Sequence, residues 1–269
     1  MLTKAWVIAI AVAVSVPVGH AQESAAPAKN SPVIEAANAL GLLRGNDRQD
    51  LLNTLRWSGA GMMQPVGAQP MKLQRYTMDF SYAHPGLRVD VVRLDAAGAP
   101  EREVSVVAGT AAWNEVDIAM EGPPVGKSAE PAPMTVNDRL LEIWMTPHGV
   151  IKAAMAAGAK ATVTTENGRS VISVPLLGTT IRATMDSRNL PERVEAQAMH
   201  SSLGRVKIDV TYSGYKDFDF SDILQPSRVV RKIDDRTVLD VTATEAFGYN
   251  PYVVFPVPPN VRQAFGQKR

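Results

Sequence analysis

Residues 205–213 read Arg-Val-Lys-Ile-Asp-Val-Thr-Tyr-Ser. Val206, Ile208, Val210 and Tyr212 point one way while Lys207, Asp209, Thr211 and Ser213 point the other, so the stretch predicts a strand with one face on a core. The same period of two recurs upstream from Leu55 onward. Tyr76, Met78, Phe80 and Tyr82 alternate with Thr77, Asp79 and Ser81, and Leu87, Val89 and Val91 alternate with Arg88 and Asp90. At Val91-Val92 the pattern slips by one residue, the signature of a bulge or a bend in a curved sheet.

Further strands are predicted over 103–108, 110–115, 161–165, 170–176, 180–186, 193–199, 225–233 and 237–243. They follow one another at close spacing across Gly, Asn and Asp turns such as Glu166-Asn167-Gly168, which suits antiparallel hairpins and not strand-helix-strand units. Only two stretches carry helical spacing. Ser31-Pro32 supplies an N-cap and a first helical residue for Val33, Ala36, Ala37 and Leu40, up to Gly41. Thr135 to Ala157 holds Val136, Leu140, Ile143 and Trp144 on one side, then restarts after Thr146-Pro147 with Val150, Ile151, Ala154 and Met155, which makes two helices with a kink. The fold class is therefore mainly β (α+β), a curved antiparallel sheet or incomplete β-barrel with a helical lid inserted mid-chain. The Pro-, Gly- and Ala-rich 122–133 reads as a long loop, and the chain ends in a Pro-rich C-terminal tail over 249–269, whose Tyr249 to Pro259 is extended and cannot join a central strand.

At the N-terminus, Lys4 followed by the apolar run Ala5 to Val18 and by Gly19-His20-Ala21 has the order of a secretory signal peptide over 1–21. The run is fourteen residues long and interrupted by Pro17, short of the roughly twenty that span a bilayer. Cleavage leaves a mature chain without a transmembrane segment, a polar linker over 22–30 and one domain over 31–248. The expected location is periplasmic or secreted, and without cysteine there is no lipobox. Formal charge is +1, of which Lys4 contributes one, so the mature chain is balanced and has no broad pull toward nucleic acid. The absence of cysteine also excludes disulfides and cysteine-based zinc or redox sites.

No residue pattern implies a cofactor or a metal. His84, His148 and His200 have no second ligand at metal-helix spacing. Asp217-Phe218-Asp219-Phe220-Ser221-Asp222 opens like a calcium loop but lacks glycine at the sixth position and glutamate at the twelfth, and reads as a capped acidic turn. Ser213-x-x-Lys216 matches a penicillin-recognising serine pattern, yet that serine closes a strand and no companion motif follows. What remains is apolar: Trp57, Trp113 and Trp144, and methionines including Met62, Met63, Met78, Met145, Met155, Met185 and Met199. Methionine suits both irregular core gaps and surfaces that take acyl chains, and composition leaves both open.

Trp144-Met145-Thr146-Pro147-His148-Gly149 with Val150 to Ala154, then Ala183 to Asp186 through Val194-Glu195 and Leu203 through Phe218, resemble the β-rich N-terminal domain of secreted metallo-β-lactamase-fold hydrolases. More distantly, a sheet with one helical insertion is similar to the periplasmic lipoprotein carriers typified by LolA and LolB. The carrier resemblance implies a concave apolar side covered by a lid. Trp144, Met145, Ile151 and Met155 would face the cavity from the lid, with Met78 and Phe80 on the sheet. The hydrolase pattern H-x-H-x-D-H is absent, so no hydrolytic residues carry over. The expected function is a binding or carrier module for a lipid-like or other apolar ligand. A cell-envelope interaction domain, docking a protein partner through the tail, is the alternative.

Overall fold

The computed structural model describes residues 31–95 and 97–266, so the expected signal peptide and linker lie outside the described residues. Thirteen strands form one antiparallel sheet: β1 (Thr54–Met63), β2 (Met71–Ser81), β3 (Gly86–Leu94), β4 (Pro100–Ala108), β5 (Ala111–Val116), β6 (Ser128–Pro131), β7 (Thr162–Glu166), β8 (Arg169–Leu176), β9 (Thr179–Met185), β10 (Pro191–His200), β11 (Gly204–Ser213), β12 (Arg228–Ile233) and β13 (Arg236–Phe247). Their spatial order is β6-β5-β4-β3-β2-β1-β13-β12-β11-β10-β9-β8-β7. The chain thus steps outward from the centre in a six-strand meander and crosses to the opposite edge through helices α2 (Val136–Trp144) and α3 (Pro147–Ala157). It then steps back to the centre, where β13 pairs with β1.

The sheet is wrapped around those helices. Helix α2 touches β3, β4 and β5 of one arm and β10 of the other. From β3 to β10 is six strand steps. Laid flat that is about 29 Å at roughly 4.8 Å per step, beyond the reach of a helix about 10–12 Å across. Only a curved sheet brings both arms to one helix, and β6 and β7 do not pair, so the barrel stays open. Register shifts at Gly59/Gly61, Leu73/Arg75 and Ala243/Glu245 sharpen the bend near the seam. Gly59 and Gly61 are required there, because a Cβ on either would meet the β13 backbone at 2.5 and 2.0 Å.

The inner face and the helix pair enclose one core, including Leu55, Trp57, Phe80, Leu87, Ile143, Ile151, Ile181 and Val241. Helix α1 (Pro32–Ala39) packs on α3 and β8, with Ser31 capping its N-terminus as expected. No helix among the described residues is long and apolar enough to cross a membrane.

Two expectations need correction. The slip at Val91-Val92 is not a bulge in β3, whose pairing with β4 is regular. Val91 faces the inner core while Val92 is buried on the outer face, and the displaced register lies in the neighbouring β2. The loop over 122–133 contains the edge strand β6. The stretch expected to be extended has no helix or strand over 250–258; beyond it comes α4 (Pro259–Ala264), and Phe255, Val257, Val261 and Phe265 cover a second cluster of Val104, Val106, Ala111, Trp113 and Ala129 on the outer face. Phe255 seats on Gly86, where a Cβ would come within 2.5 Å of its ring, and the Arg88 guanidinium bonds to the Val254 carbonyl at 3.1 Å.

Candidate functional site

The α2–α3 corner is built locally. Pro147 is the first residue of α3, and Thr146 caps it, accepting from the Gly149 N–H at 3.0 Å while donating to the Ile143 carbonyl at 2.7 Å. A Cβ at Gly149 would lie 2.1 Å from that carbonyl, so only glycine closes the corner. With the Thr146 proton committed, the Tyr82 hydroxyl is the donor in the 3.0 Å bond between them. Tyr212 donates to the Met145 carbonyl at 2.9 Å, and Tyr76 reaches Glu142 at 3.4 Å. Burial raises the pKa of all three phenols, which therefore stay neutral donors.

Charged side chains complete the attachment. Arg139 of α2 donates to the Val106 and Trp113 carbonyls at 2.8 and 2.6 Å, and burial lowers its pKa. Arg231 of β12 pairs with Glu142 at 2.5 Å; burial works against the guanidinium charge, but Glu142 together with the oxygens of Tyr76 and Tyr212 leaves the pKa raised. Lys152 of α3 pairs with Asp50 and donates to the Leu52 carbonyl at 2.7 Å, its pKa lowered by burial although Asp50 opposes the shift.

Space remains on both flanks of the helix pair. Beside α3 lies a cavity of about 420 Å³ lined by Tyr82, Trp144, Ala153, Ala156, Ala157 and Leu176, with Lys152 and Asp50 at its polar edge. The alanines make the room: a larger side chain on that face of α3 would fill it. Tyr82 joins the wall as a ladder, stacked on Phe80 with centroids 6.2 Å apart and tilted to Trp144 at 6.3 Å. Beside α2 lies a cavity of about 110 Å³ that includes Leu141, Met145, Ile208 and Val210; a second of about 280 Å³, lined by the sheet and including Met63, Tyr76 and Leu239, shares Arg231, His200 and Ile233 with it.

The six residues expected to form an apolar groove all belong to, or pack against, the inner core. They do not form one open surface. Trp144 lines the large cavity and Met145 the small one. Met78, Phe80 and Ile151 are buried, and Met155 is half-buried. The methionines divide likewise: Met78, Met145 and Met185 are core, whereas Met62 and Met199 are exposed. The residues that sequence reasoning missed are Tyr82, Lys152, Ala153, Ala156, Glu142 and Arg231. Alanine spacing on α3 was the one signal for them. No group of three or more His, Asp or Glu able to hold a metal occurs among the described residues.

No protein-family model and no curated protein matches the chain.

Proposed function

We propose that the chain is a binding module for a lipid-like or other apolar ligand, built as an open half-barrel with a helical lid in the manner of the LolA and LolB carriers, and working in the periplasm or outside the cell. What supports the reading is the 420 Å³ cavity between α3 and the sheet, aromatic on one wall and aliphatic on the other. Its size lies in the range of small-molecule sites, roughly 300–1,000 Å³. An acyl segment of about ten methylenes offers at most about 8 kcal/mol of transfer free energy, at roughly 0.8 per group, before ordering and association costs. Those costs come off the figure, so the roughly 8 kcal/mol net of micromolar affinity requires a longer apolar segment or added polar contacts.

The experiment is native mass spectrometry of the protein purified under gentle conditions, with organic extraction of whatever accompanies it. A stoichiometric apolar molecule is the expected result, and Ala156→Trp, which fills the cavity, should release it. An apo mass that stays unchanged after incubation with envelope lipids overturns the reading.

A further inference from the structure

The sheet has two edges, and the chain treats them differently. At β6 the edge is closed: the strand runs four residues, Pro131 removes a donor, and Asn260 of α4 donates to the Ala129 carbonyl at 2.6 Å. At β7 it is bare. Thr162, Val163, Thr164, Thr165 and Glu166 are all exposed, the pairing with β8 runs without a bulge, and no proline or lysine interrupts the strand. Four of the five are β-branched, the side chains that favour pairing. The one charge, Glu166, stands at the end and is held by Arg182 at 2.6 Å. Natural sheets protect an edge of this kind unless it is used.

The turn fixes which groups face outward. Asn167 and Gly168 hold φ at +49° and +76°, the two-residue hairpin turn whose flanking residues, Glu166 and Arg169, exchange both main-chain bonds. The pattern alternates from there, so Thr164 and Thr162 also bond toward β8, while Val163 and Thr165 turn their N–H and C=O groups away from the sheet. An added strand meets these groups only where its own outward residues stand opposite them.

A second copy of β7 does so when it lies antiparallel about a two-fold axis through Thr164. Val163 of each copy then faces Thr165 of the other, every outward group finds its complement, and Thr164 faces itself in a pair without main-chain bonds. The end charges select the same direction. Lys160 precedes the strand and Glu166 ends it, both exposed. Antiparallel copies bring each lysine to the other's glutamate end, whereas parallel copies would set like charges side by side. A foreign strand is chosen through pockets for its side chains, and the cavities described above include none of residues 162–166. Because β6 is closed, pairing through β7 ends at two copies and cannot propagate.

We propose that the chain forms a two-fold dimer through β7, joining two sheets edge to edge. The inference stands apart from the ligand reading, so Ala156→Trp should dimerise as the wild type does.

The test is sedimentation velocity of the purified protein at concentrations up to about 500 μM, because a pairing this short buries less than the roughly 1,200 Å² of stable interfaces. The wild type should pass from monomer to dimer. Thr164→Lys and Thr164→Glu set like charges face to face on the axis at an exposed side chain; each should stay monomeric with unchanged Tm, and an equimolar mixture of the two should dimerise again. Val163→Pro removes an outward donor twice by symmetry and should weaken the dimer at least roughly tenfold. Thr164→Cys, in a chain with no cysteine of its own, should oxidise to a covalent dimer faster than Val163→Cys, since Cα atoms across such a pair lie about 4.5 Å apart. A monomer at every concentration overturns the proposal and leaves a strand of another protein as the occupant. So does a dimer that Thr164→Lys leaves intact, or one in which Val163→Cys cross-links as fast as Thr164→Cys.

Discussion

His148, the second residue of α3, is 2% exposed, and its Nε2 has no hydrogen-bond partner. Burial, and then the nearby Lys152 charge, push its pKa down to about 3. The neutral ring is the one the fold accepts. The unfolded chain takes up a proton below about pH 6.5 and the folded chain does not, so this contribution is complete above that pH and is lost as pH falls toward 3. Between pH 7 and pH 5 the loss from this group is about 2 kcal/mol, and His148→Gln should flatten that part of a denaturation-versus-pH profile. Glu142 gives a second test at this scale. Glu142→Gln leaves the Arg231 guanidinium without its partner and should cost about 2–3 kcal/mol. Tyr76→Phe, which removes only a long hydrogen bond to the same carboxylate, should cost about 1 kcal/mol or less in urea unfolding.

At the scale of the elements, Thr146-Pro147-His148-Gly149 turns α2 into α3 and fixes the lid to the sheet. Thr146→Ala removes the cap and the Tyr82 contact together and should cost about 1–2 kcal/mol. Gly149→Ala should cost more, since its Cβ would displace the Ile143 carbonyl; thermal denaturation of the two variants gives the ranking. This corner was legible in the sequence because caps and prolines act locally. So were β11, β2 and the hairpin succession, whose alternation separates an apolar face on the core from a polar one, although in β2 the polar Asp79 and Ser81 are buried as well. The edge strand β6 was not legible: it is four residues long, ends in Pro131 and sits amid loop-like composition. Nor was the doubly buried stretch of β3, where Gly86 and Arg88 lie beneath the returning C-terminal segment. No local pattern announces a cover that arrives more than 150 residues later. The apolar residues singled out as a groove were legible as core, whereas the vacant volume depends on how α3 lies against β8.

For the whole molecule, two clusters on opposite faces of one sheet are closed by different parts of the chain: the inner by α1, α2 and α3, the outer by residues 255–265. A chain truncated after Asn250 should therefore keep its lid and lose its outer cover. Trp113, 1% exposed in the intact protein, should become accessible to acrylamide, with a lower Tm. A wild-type quenching profile in the truncated chain would refute this account of the segment.

The pairing of β1 with β13 bears on how the molecule comes into being. The middle of the sheet is made from the first and last strands of the sheet, Thr54–Met63 and Arg236–Phe247, so each arm can form from its own run of sequence but the seam between them cannot close until both are present. Until the final strand emerges from whatever channel delivers the chain, β1 is a bare edge with two glycines in it, open to mispairing. Long-range closure of this kind makes for slow folding. The interval before residue 247 appears is thus when the protein is most exposed to aggregation and most in need of a chaperone.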